Sequence, residues 1–307
     1  MFTVSVNAPF FMMSQHEFNV KGSLFMSGSM KLIQPYFVIH TDYYYKAICA
    51  RYGILHFYMY TLQDREDISA VPDGCIDLVF EYGDGVMNAR ACGTVFSCQK
   101  TLFQFGHTYF GVRFLPGVRP CILDTSPREL VCCEADLREI TTCKDFLEKM
   151  EGQKTFEGCA HNFLEEYGSI FEKENQKASS CAHVLVDHSI GRIYETGGRI
   201  KVCQMEEETG YSSRYINKVF NEELGYGPKF LCKIVQFQNV LTCMNSLESR
   251  LEGHKERLTD VAVDFGYYDQ PQLIRDFKKF ASVTPKTYEK LICKAQYSRH
   301  LIEEKIF

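Results

Sequence analysis

The chain has 307 residues, of which 45% are hydrophobic and 24% are charged, and its formal net charge is −5. This composition excludes a fibrous repeat or wholesale disorder, and the length indicates two domains. No apolar run reaches the roughly 18–20 residues that a membrane-spanning helix needs, and the chain does not begin with the basic region of a secretory signal. We therefore expect a cytoplasmic protein with no membrane partner, whose 14 cysteines are reduced thiols.

Charge is distributed unevenly between the two halves of the chain. Residues 1–189 carry 16 Lys and Arg against 23 Asp and Glu, whereas residues 190–307 carry 18 against 16. The C-terminal part is therefore slightly positive, which favours contact with a polyanion such as a nucleic acid.

Short strands are predicted in the first half of the chain. Residues 54–60 and 75–82 are rich in aromatic and β-branched side chains, and turns that contain Pro and Gly separate such runs. The spacing predicts a small antiparallel β-barrel or β-sandwich over residues 36–150. In this barrel, Arg113 faces either an anionic ligand on the inside or solvent on the outside. Residues 1–35 have no assignment.

The second half is predicted to be helical. Residues 151–188 are polar and acidic, and we interpret them as a helical linker. Apolar residues between Phe230 and Met244 recur with the spacing of one helix face, and Pro228 fits the first turn of that helix. We expect the helix to span about 18 residues, or roughly 27 Å.

The C-terminal part contains an internal repeat. In residues 202–228, and again in residues 258–285, an apolar pair stands eight and five residues before a glycine, and a phenylalanine stands eight residues before a proline. The glycine permits the left-handed backbone of a tight turn, and the Ser or Asp that follows it is a suitable N-cap. Each copy therefore predicts a helix-turn-helix unit.

Polar side chains are expected on the outer face of the second helix of each unit. Arginine, asparagine and glutamine can make paired hydrogen bonds to base edges in a major groove. We predict that the base contacts come from Arg214, Asn217, Lys218, Gln270, Gln272 and Arg275. Lys278 and Lys279 stand farther along the second unit and are expected to contact phosphates. The alternative for Arg275 is an ion pair with Asp276 or Glu289 that only stabilises the domain.

Residues 190–292 resemble the C-terminal DNA-binding domain of AraC/XylS-type bacterial transcription regulators. The likeness is strongest over the segment DVAVDFGYYDQPQLIRDFKKFASVTPKTYEKL. It implies a DNA-binding domain over residues 189–294, with two units in seven helices, followed by a tail over residues 295–307. Glu206 stands where these regulators usually have a small residue, and we expect its carboxylate to be turned to solvent or paired.

The first half resembles another domain of such regulators. Residues 71–80, 92–94 and 110–117 are similar to the cupin-like β-barrel that precedes the DNA-binding part in a subset of them. The resemblance implies that this domain senses a signal and dimerises.

The sequence therefore predicts an α+β protein, in which a small antiparallel, cupin-like β-barrel precedes an all-α domain with two helix-turn-helix units. We expect a sequence-specific transcription regulator that binds double-stranded DNA, responds to a small-molecule effector at the barrel, forms a homodimer and contacts RNA polymerase. No cofactor, metal ion or catalytic residue is expected. The alternative is a cupin-like barrel enzyme, or a cysteine-based repair protein, fused to a DNA-binding domain.

Overall fold

The computed structural model describes residues 31–49, 51–63, 68–101, 103–174, 181–248 and 257–304. Within these ranges a sheet region is followed by a helical region, so the predicted α+β class is confirmed. No helix in this part of the chain is long and apolar enough to cross a lipid bilayer.

The strands of the sheet region form where aromatic and β-branched residues are frequent. They are β1 (Thr41–Ile48), β2 (Ile54–Leu62), β3 (Ser69–Ala70), β4 (Asp77–Gly83), β5 (Val86–Cys92), β6 (Gln99–Lys100), β7 (Thr108–Phe114) and β8 (Glu134–Asp136). A further strand, β9 (Leu301–Glu304), comes from the other end of the chain. In the described residues, one large sheet has the strand order β8-β5-β4-β7-β2-β1-β9, and β3 pairs with β6 in a small second sheet.

The large sheet is antiparallel except at one edge. β9 lies parallel to β1, with Tyr44 opposite Leu301 and Ala47 opposite Glu304. This strand order leaves β8 and β9 at opposite edges, so the described strands do not close into a barrel by pairing. The segment expected as a tail therefore supplies an edge strand, which pairs backbone groups of β1 that would otherwise lack partners.

The helices lie on both sides of the large sheet and in the C-terminal region. Those of the first part are α1 (Pro35–Ile39), α2 (Pro127–Leu130), α3 (Leu137–Ile140), α4 (Lys144–Met150), α5 (Phe156–Glu174) and α6 (Cys181–Glu195). Those of the C-terminal part are α7 (Val202–Thr209), α8 (Ser213–Leu224), α9 (Pro228–Glu248), α10 (Leu258–Asp264), α11 (Gln270–Ala281), α12 (Pro285–Ala295) and α13 (Tyr297–His300).

One face of the large sheet packs against α4 and α5. The ring of Phe57 on β2 lies 5.9 Å from that of Phe110 on β7 and 5.9 Å from that of Phe163 on α5. Phe163 and Tyr167 are fully buried in this cluster. α5 falls within the expected linker, but its apolar side chains form part of the core of the sheet region.

The other face of the large sheet shares a hydrophobic core with the second unit, which comprises α10 and α11. Tyr58 and Tyr60 of β2 belong to the same buried cluster as Phe277 of α11. A hydrogen bond also crosses this contact, because the Tyr36 hydroxyl donates to the Ala281 carbonyl at 2.5 Å. β2 is consequently buried on both faces along nearly its whole length.

The first unit, which comprises α7 and α8, has a separate core. Ile216, Val219 and Phe220 of α8 pack in a cluster that includes Ile193 of α6 and Leu231 of α9. The spacing of these three α8 residues places them on one face of the helix, as the sequence predicts. The opposite face of α8 is left for solvent or a partner.

Candidate DNA-binding surface and ligand cavity

The first unit turns at Gly210, whose φ of +73° lies in the left-handed region that favours glycine. α8 begins after Ser212, whose side-chain oxygen accepts a hydrogen bond from the Tyr215 N–H at 3.3 Å. This cap and the buried face together fix the orientation of α8. Arg214 and Lys218 are exposed on its outer side.

Glu206 stabilises the same turn. Its half-buried carboxylate accepts a hydrogen bond from the Ser213 N–H, which is one of the first-turn donors that lack an intrahelical partner. Hydrogen bonding from the Ser213 side chain and from its N–H favours the ionised carboxylate and lowers the pKa of Glu206. The expectation that Glu206 is paired is confirmed.

The second unit repeats this geometry. Its turn passes through Gly266 at a φ of +80°, and the Asp269 carboxylate accepts a hydrogen bond from the Gln272 N–H at 2.7 Å. The side-chain oxygen of Gln272 in turn accepts a hydrogen bond from the Tyr268 N–H at 2.9 Å. Gln236 of α9 donates to the Gly266 carbonyl at 3.2 Å, so the helix between the units also holds this turn in place.

A cation occupies the same position in the second helix of each unit. Lys218 and Arg275 stand two residues before the buried phenylalanine, and both are exposed. Lys218 lies 3.7 Å from Glu222 in an exposed pair. Asp276 pairs with Lys233 of α9 at 3.1 Å. Among the described residues, Arg275 forms no ion pair with Asp276 or Glu289.

Three of the predicted base-reading amides make hydrogen bonds within their own unit. Asn217 donates to the Ser213 carbonyl one turn earlier, at 2.7 Å. Gln270 accepts a hydrogen bond from the Thr259 hydroxyl at 3.1 Å, and Gln272 accepts one from the Tyr268 N–H at 2.9 Å. The two glutamine contacts join α11 to α10 and to the turn before it, whereas the Asn217 contact lies within α8.

The two lysines near the end of α11 have different surroundings. Lys278 is exposed. The Lys279 ammonium lies 5.5 Å from the ring centre of Phe280 and 6.0 Å from that of Phe230. The Lys279 carbonyl accepts a hydrogen bond from the Cys98 N–H at 3.3 Å. The Lys279 backbone therefore lies at the contact between α11 and the sheet region, while the side chains of both lysines are exposed.

Two exposed tyrosines precede the second helices, and the sequence reasoning above misses them. Tyr211 and Tyr268 stand directly before the N-caps, with exposed fractions of 38% and 92%. The Tyr211 ring stacks on that of Tyr215 at 5.1 Å. The repeat itself contains the signal, because both copies carry a tyrosine at this position outside the buried pattern. These rings lie beside the surface that presents the exposed cations.

The helix that joins the two units is longer than the sequence predicts. α9 has 21 residues, because it continues to Glu248, beyond Met244 at the end of the apolar stripe. At 1.5 Å per residue it is about 32 Å long. This length is close to the roughly 34 Å that separate successive major grooves on one side of DNA.

A cavity of about 470 Å³ lies beside the large sheet. Residues of β1, β2, β4 and β7 line it on one side, and both strands of the small sheet line it on another. Its wall is rich in aromatic side chains, namely Phe37, Tyr44, Tyr58, Tyr60 and Phe103. We call it the tyrosine cavity. Its size is that of a typical small-molecule site.

Arg113 lies inside the tyrosine cavity and not in solvent. Its side chain is 5% exposed, and its Nη1 lies 3.1 Å from Asp73. Its Nε and Nη2 donate to the two carboxylate oxygens of Asp77 at 2.8 and 2.5 Å. Burial opposes the charged form of Arg113, but the two carboxylates raise its pKa well above the ordinary value. Because the chain's own carboxylates engage this guanidinium, it is not free to bind an anionic ligand.

Free thiols also line the tyrosine cavity. Cys75, Cys92, Cys132 and Cys133 contribute to its wall and form no disulfide. Burial raises the pKa of both Cys75 and Cys92 well above the ordinary value for a thiol. These two side chains are therefore neutral at physiological pH and lack the thiolate character of a redox sensor or nucleophile.

A second cavity, of about 310 Å³, lies where the sheet region meets α9, α13 and β9. Lys31, Lys46 and His56 contribute to its lining. Burial lowers the pKa of His56 well below the ordinary value, and the charges of Lys46 and Arg113 lower it further, so His56 is neutral. Lys46 lies 3.9 Å from Glu303 of β9. Arg113 forms part of the wall of both cavities.

Comparison with known proteins gives a family match within the sheet region. Residues 52–132 match a family described as a domain of unknown function (DUF6597). No curated protein sequence matches the chain.

Crystal structures of ToxT from Vibrio cholerae are similar to this chain at low identity. One, at 1.65 Å resolution, has 10% sequence identity and a TM-score of 0.41, and the match covers 76% of this chain and 97% of ToxT. A structure with bound (E)-4-(8-methylnaphthalen-1-yl)but-3-enoic acid has 10% identity, a TM-score of 0.40 and coverages of 77% and 97%. A structure with a bound unsaturated fatty acid has 12% identity, a TM-score of 0.36 and coverages of 82% and 94%. ToxT is an AraC-family regulator, the class of protein that residues 190–292 of this chain resemble.

Proposed function

We propose that this chain is a DNA-binding transcription regulator of the AraC/XylS type, whose activity is modulated by a small molecule bound in the sheet region. One observation carries the proposal. The helix pairs α7–α8 and α10–α11, joined by the 21-residue α9, each present an exposed cation at the same position of the second helix, namely Lys218 and Arg275.

The proposed binding mode places α8 and α11 in successive major grooves of double-stranded DNA. The length of α9 matches the groove repeat, so one chain would cover about two turns of the duplex. Arg275 has an exposed guanidinium with no ion-pair partner among the described residues, and such a group suits the paired acceptors of guanine. Lys278, also exposed, would contact the phosphate backbone. Tyr211 and Tyr268 would pack against the sugars or against thymine methyl groups beside them.

The chemistry of the tyrosine cavity favours binding over catalysis. The buried thiols of Cys75 and Cys92 have raised pKa values and are poor nucleophiles. Asp77, the most central carboxylate, accepts hydrogen bonds from Arg113 and from the Tyr58 hydroxyl at 3.0 Å. A carboxylate held in this way is not placed to take a proton from a substrate. We therefore favour an effector site over the enzyme alternative.

The test is selection of binding sites from random duplex DNA with the full-length chain, followed by mobility shifts. We expect Arg275→Ala to weaken binding to the best site by about 1–3 kcal/mol and to relax the preference at one base pair. Lys278→Ala should weaken binding to all sequences about equally and reduce the salt dependence by about one phosphate contact. Arg51→Ala removes an exposed cation of the sheet region and is the matched control, which should bind as wild type does.

The outcome that contradicts the proposal is the absence of any selected sequence and of any shift at low salt, where phosphate contacts are strongest. An unchanged sequence preference in Arg275→Ala, together with a lowered melting temperature, would instead assign Arg275 a structural role.

Further parts of the proposal concern assembly. We propose that the regulator acts in the cytoplasm as a homodimer held by the sheet region, and that it contacts RNA polymerase when bound to DNA. A dimer would double the DNA contact, and its symmetry would be reflected in two half-sites in the selected DNA. Light scattering of the full chain, with and without selected DNA, tests the dimer, and a monomer in both conditions would contradict it.

A further inference from the structure

The tyrosine cavity contains more buried negative than positive charge. Arg113 is the cation at its base, and it contacts two carboxylates, those of Asp73 and Asp77. Asp73 also accepts hydrogen bonds from Gln34 at 2.7 Å and from the Cys75 N–H at 3.0 Å. N–H groups of Arg113, Gln34 and Cys75 donate to these oxygens, which suits ionised carboxylates. Burial opposes the second charge and raises the pKa of Asp77. One guanidinium balances only one of the two carboxylates, and an uncompensated buried charge is unfavourable.

Other charged groups near the cavity do not supply the missing positive charge at its base. Lys46 lies on the far side of Arg113, in the second cavity, where it pairs with Glu303. His56 is buried, and its lowered pKa keeps it neutral. At the rim, Lys100 is exposed to solvent, which screens its charge. Glu134, also at the rim, pairs with Arg90 at 3.1 Å.

The aromatic wall provides the second half of a recognition site. The planes of the Tyr44, Tyr58 and Tyr60 rings lie within 17° of one another, with ring centres 5.5–6.0 Å apart. The Arg113 guanidinium lies 5.8 Å from the centre of the Tyr58 ring. Tyr44 and Tyr60 are 5% and 2% exposed, line the cavity, and have no hydrogen-bond partner for their hydroxyls among the described residues. Tyrosine rings attract cations through their faces.

We propose that the tyrosine cavity binds an organic cation, whose positive group lies near Asp73 and Asp77 and whose apolar body packs on Tyr44 and Tyr60. The cation supplies the charge that Arg113 leaves uncompensated, and its ring or chain takes the place of water beside the aromatic wall. An anion of the same size would meet two carboxylates and an arginine that is already engaged. This inference names the class of effector, and only its effect on DNA binding rests on the function proposed above.

Isothermal titration calorimetry of the full chain with three matched naphthalene probes tests the proposal. The probes are (2-naphthylmethyl)trimethylammonium as the cation, 2-naphthylacetate as the anion and 2-naphthylmethanol as the neutral compound. We expect the cation to bind at least about tenfold more tightly than the anion, with the neutral probe between them. Equal affinities, or preference for the anion, would overturn the proposal. Because no DNA is present, this failure is distinguishable from failure of the regulator hypothesis.

Two substitutions locate the site. Asp77→Asn should weaken the cation about tenfold and leave the neutral probe nearly unchanged. Asp84→Asn makes the same change of charge on a turn where the side chain is 91% exposed, and should leave all three affinities unchanged. Since Asp77→Asn can destabilise the fold, Tyr60→Leu serves as a second variant and should weaken both the cation and the neutral probe. Binding that survives both cavity substitutions in folded protein would contradict the assignment.

Discussion

Replacement of Arg113 by methionine is the most informative perturbation of the sheet region. Methionine keeps much of the apolar stem but removes the guanidinium that contacts Asp73 and Asp77. Both carboxylates would then be buried without a cation, and breaking a buried pair in this way costs about 3–5 kcal/mol. We therefore expect the free energy of unfolding of Arg113→Met to fall by about that amount near neutral pH.

The loss should depend on pH in a defined direction. Burial already raises the pKa of Asp77 in the wild type, although Arg113 opposes the shift. Without Arg113 the folded-state pKa rises further above the unfolded value of about 3.9, so the folded state binds more protons than the unfolded chain. Stability of the variant therefore falls as pH rises through that folded-state pKa. The difference from wild type should be smaller near pH 5 than near pH 7.5, because at the lower pH the folded variant can keep a buried carboxyl group protonated.

Urea unfolding, followed by circular dichroism and by tyrosine fluorescence in this tryptophan-free chain, measures the effect. A triple variant, Asp73→Asn, Asp77→Asn and Arg113→Met, removes the charges together and should recover most of the loss and its pH dependence. Arg119→Met, at an exposed site, should change stability by no more than about 0.5 kcal/mol. A loss below about 1 kcal/mol for Arg113→Met, or an equal loss at both pH values, would refute this reasoning.

Two further predictions concern other parts of the fold. A methyl group at Gly111 would lie 1.9 Å from the Tyr58 ring, so Gly111→Ala should destabilise the chain by about 1–3 kcal/mol. At Gly191 within α6 the methyl group meets open space, so Gly191→Ala should stabilise the chain by up to about 1 kcal/mol. Thermal melts of the two variants side by side test this contrast, and equal shifts would contradict it. Glu206→Ala removes the acceptor of the Ser213 N–H and should lower the melting temperature. An unchanged melting temperature would show that water replaces the carboxylate.

The local features of the C-terminal region are predictable from sequence because each depends on neighbours in the chain. The repeat places a glycine, an N-cap and a buried phenylalanine at fixed separations, and the structure forms both turns at Gly210 and Gly266. The shared face of Phe110 and Phe114 on β7 is predictable in the same way, because successive side chains of a strand alternate between its two faces. Alternation does not reveal which face of a strand meets a cavity, so it leaves the direction of Arg113 undecided.

Contacts between distant segments are not predictable in this way. β9 pairs with β1 across more than 250 residues, and its four residues carry no stronger strand signal than many loops do. The hydrogen bond from Tyr36 to Ala281 likewise joins two segments whose local patterns are independent. For the same reason the role of Lys279 at the sheet contact is invisible in the sequence, where it resembles the neighbouring Lys278.

The position of α1 provides a physical connection between the tyrosine cavity and the second unit. Phe37 of this helix lines the cavity, and its neighbour Tyr36 donates a hydrogen bond to Ala281 at the end of α11. α1 has only five residues, and Tyr36 and Phe37 are adjacent in it, so we expect a displacement of Phe37 to move Tyr36 as well. On the other side of the cavity, the chain at Cys98, which directly precedes β6, binds the Lys279 carbonyl. We therefore expect a ligand that shifts either wall of the cavity to act on the C-terminal end of α11, the helix that presents Arg275.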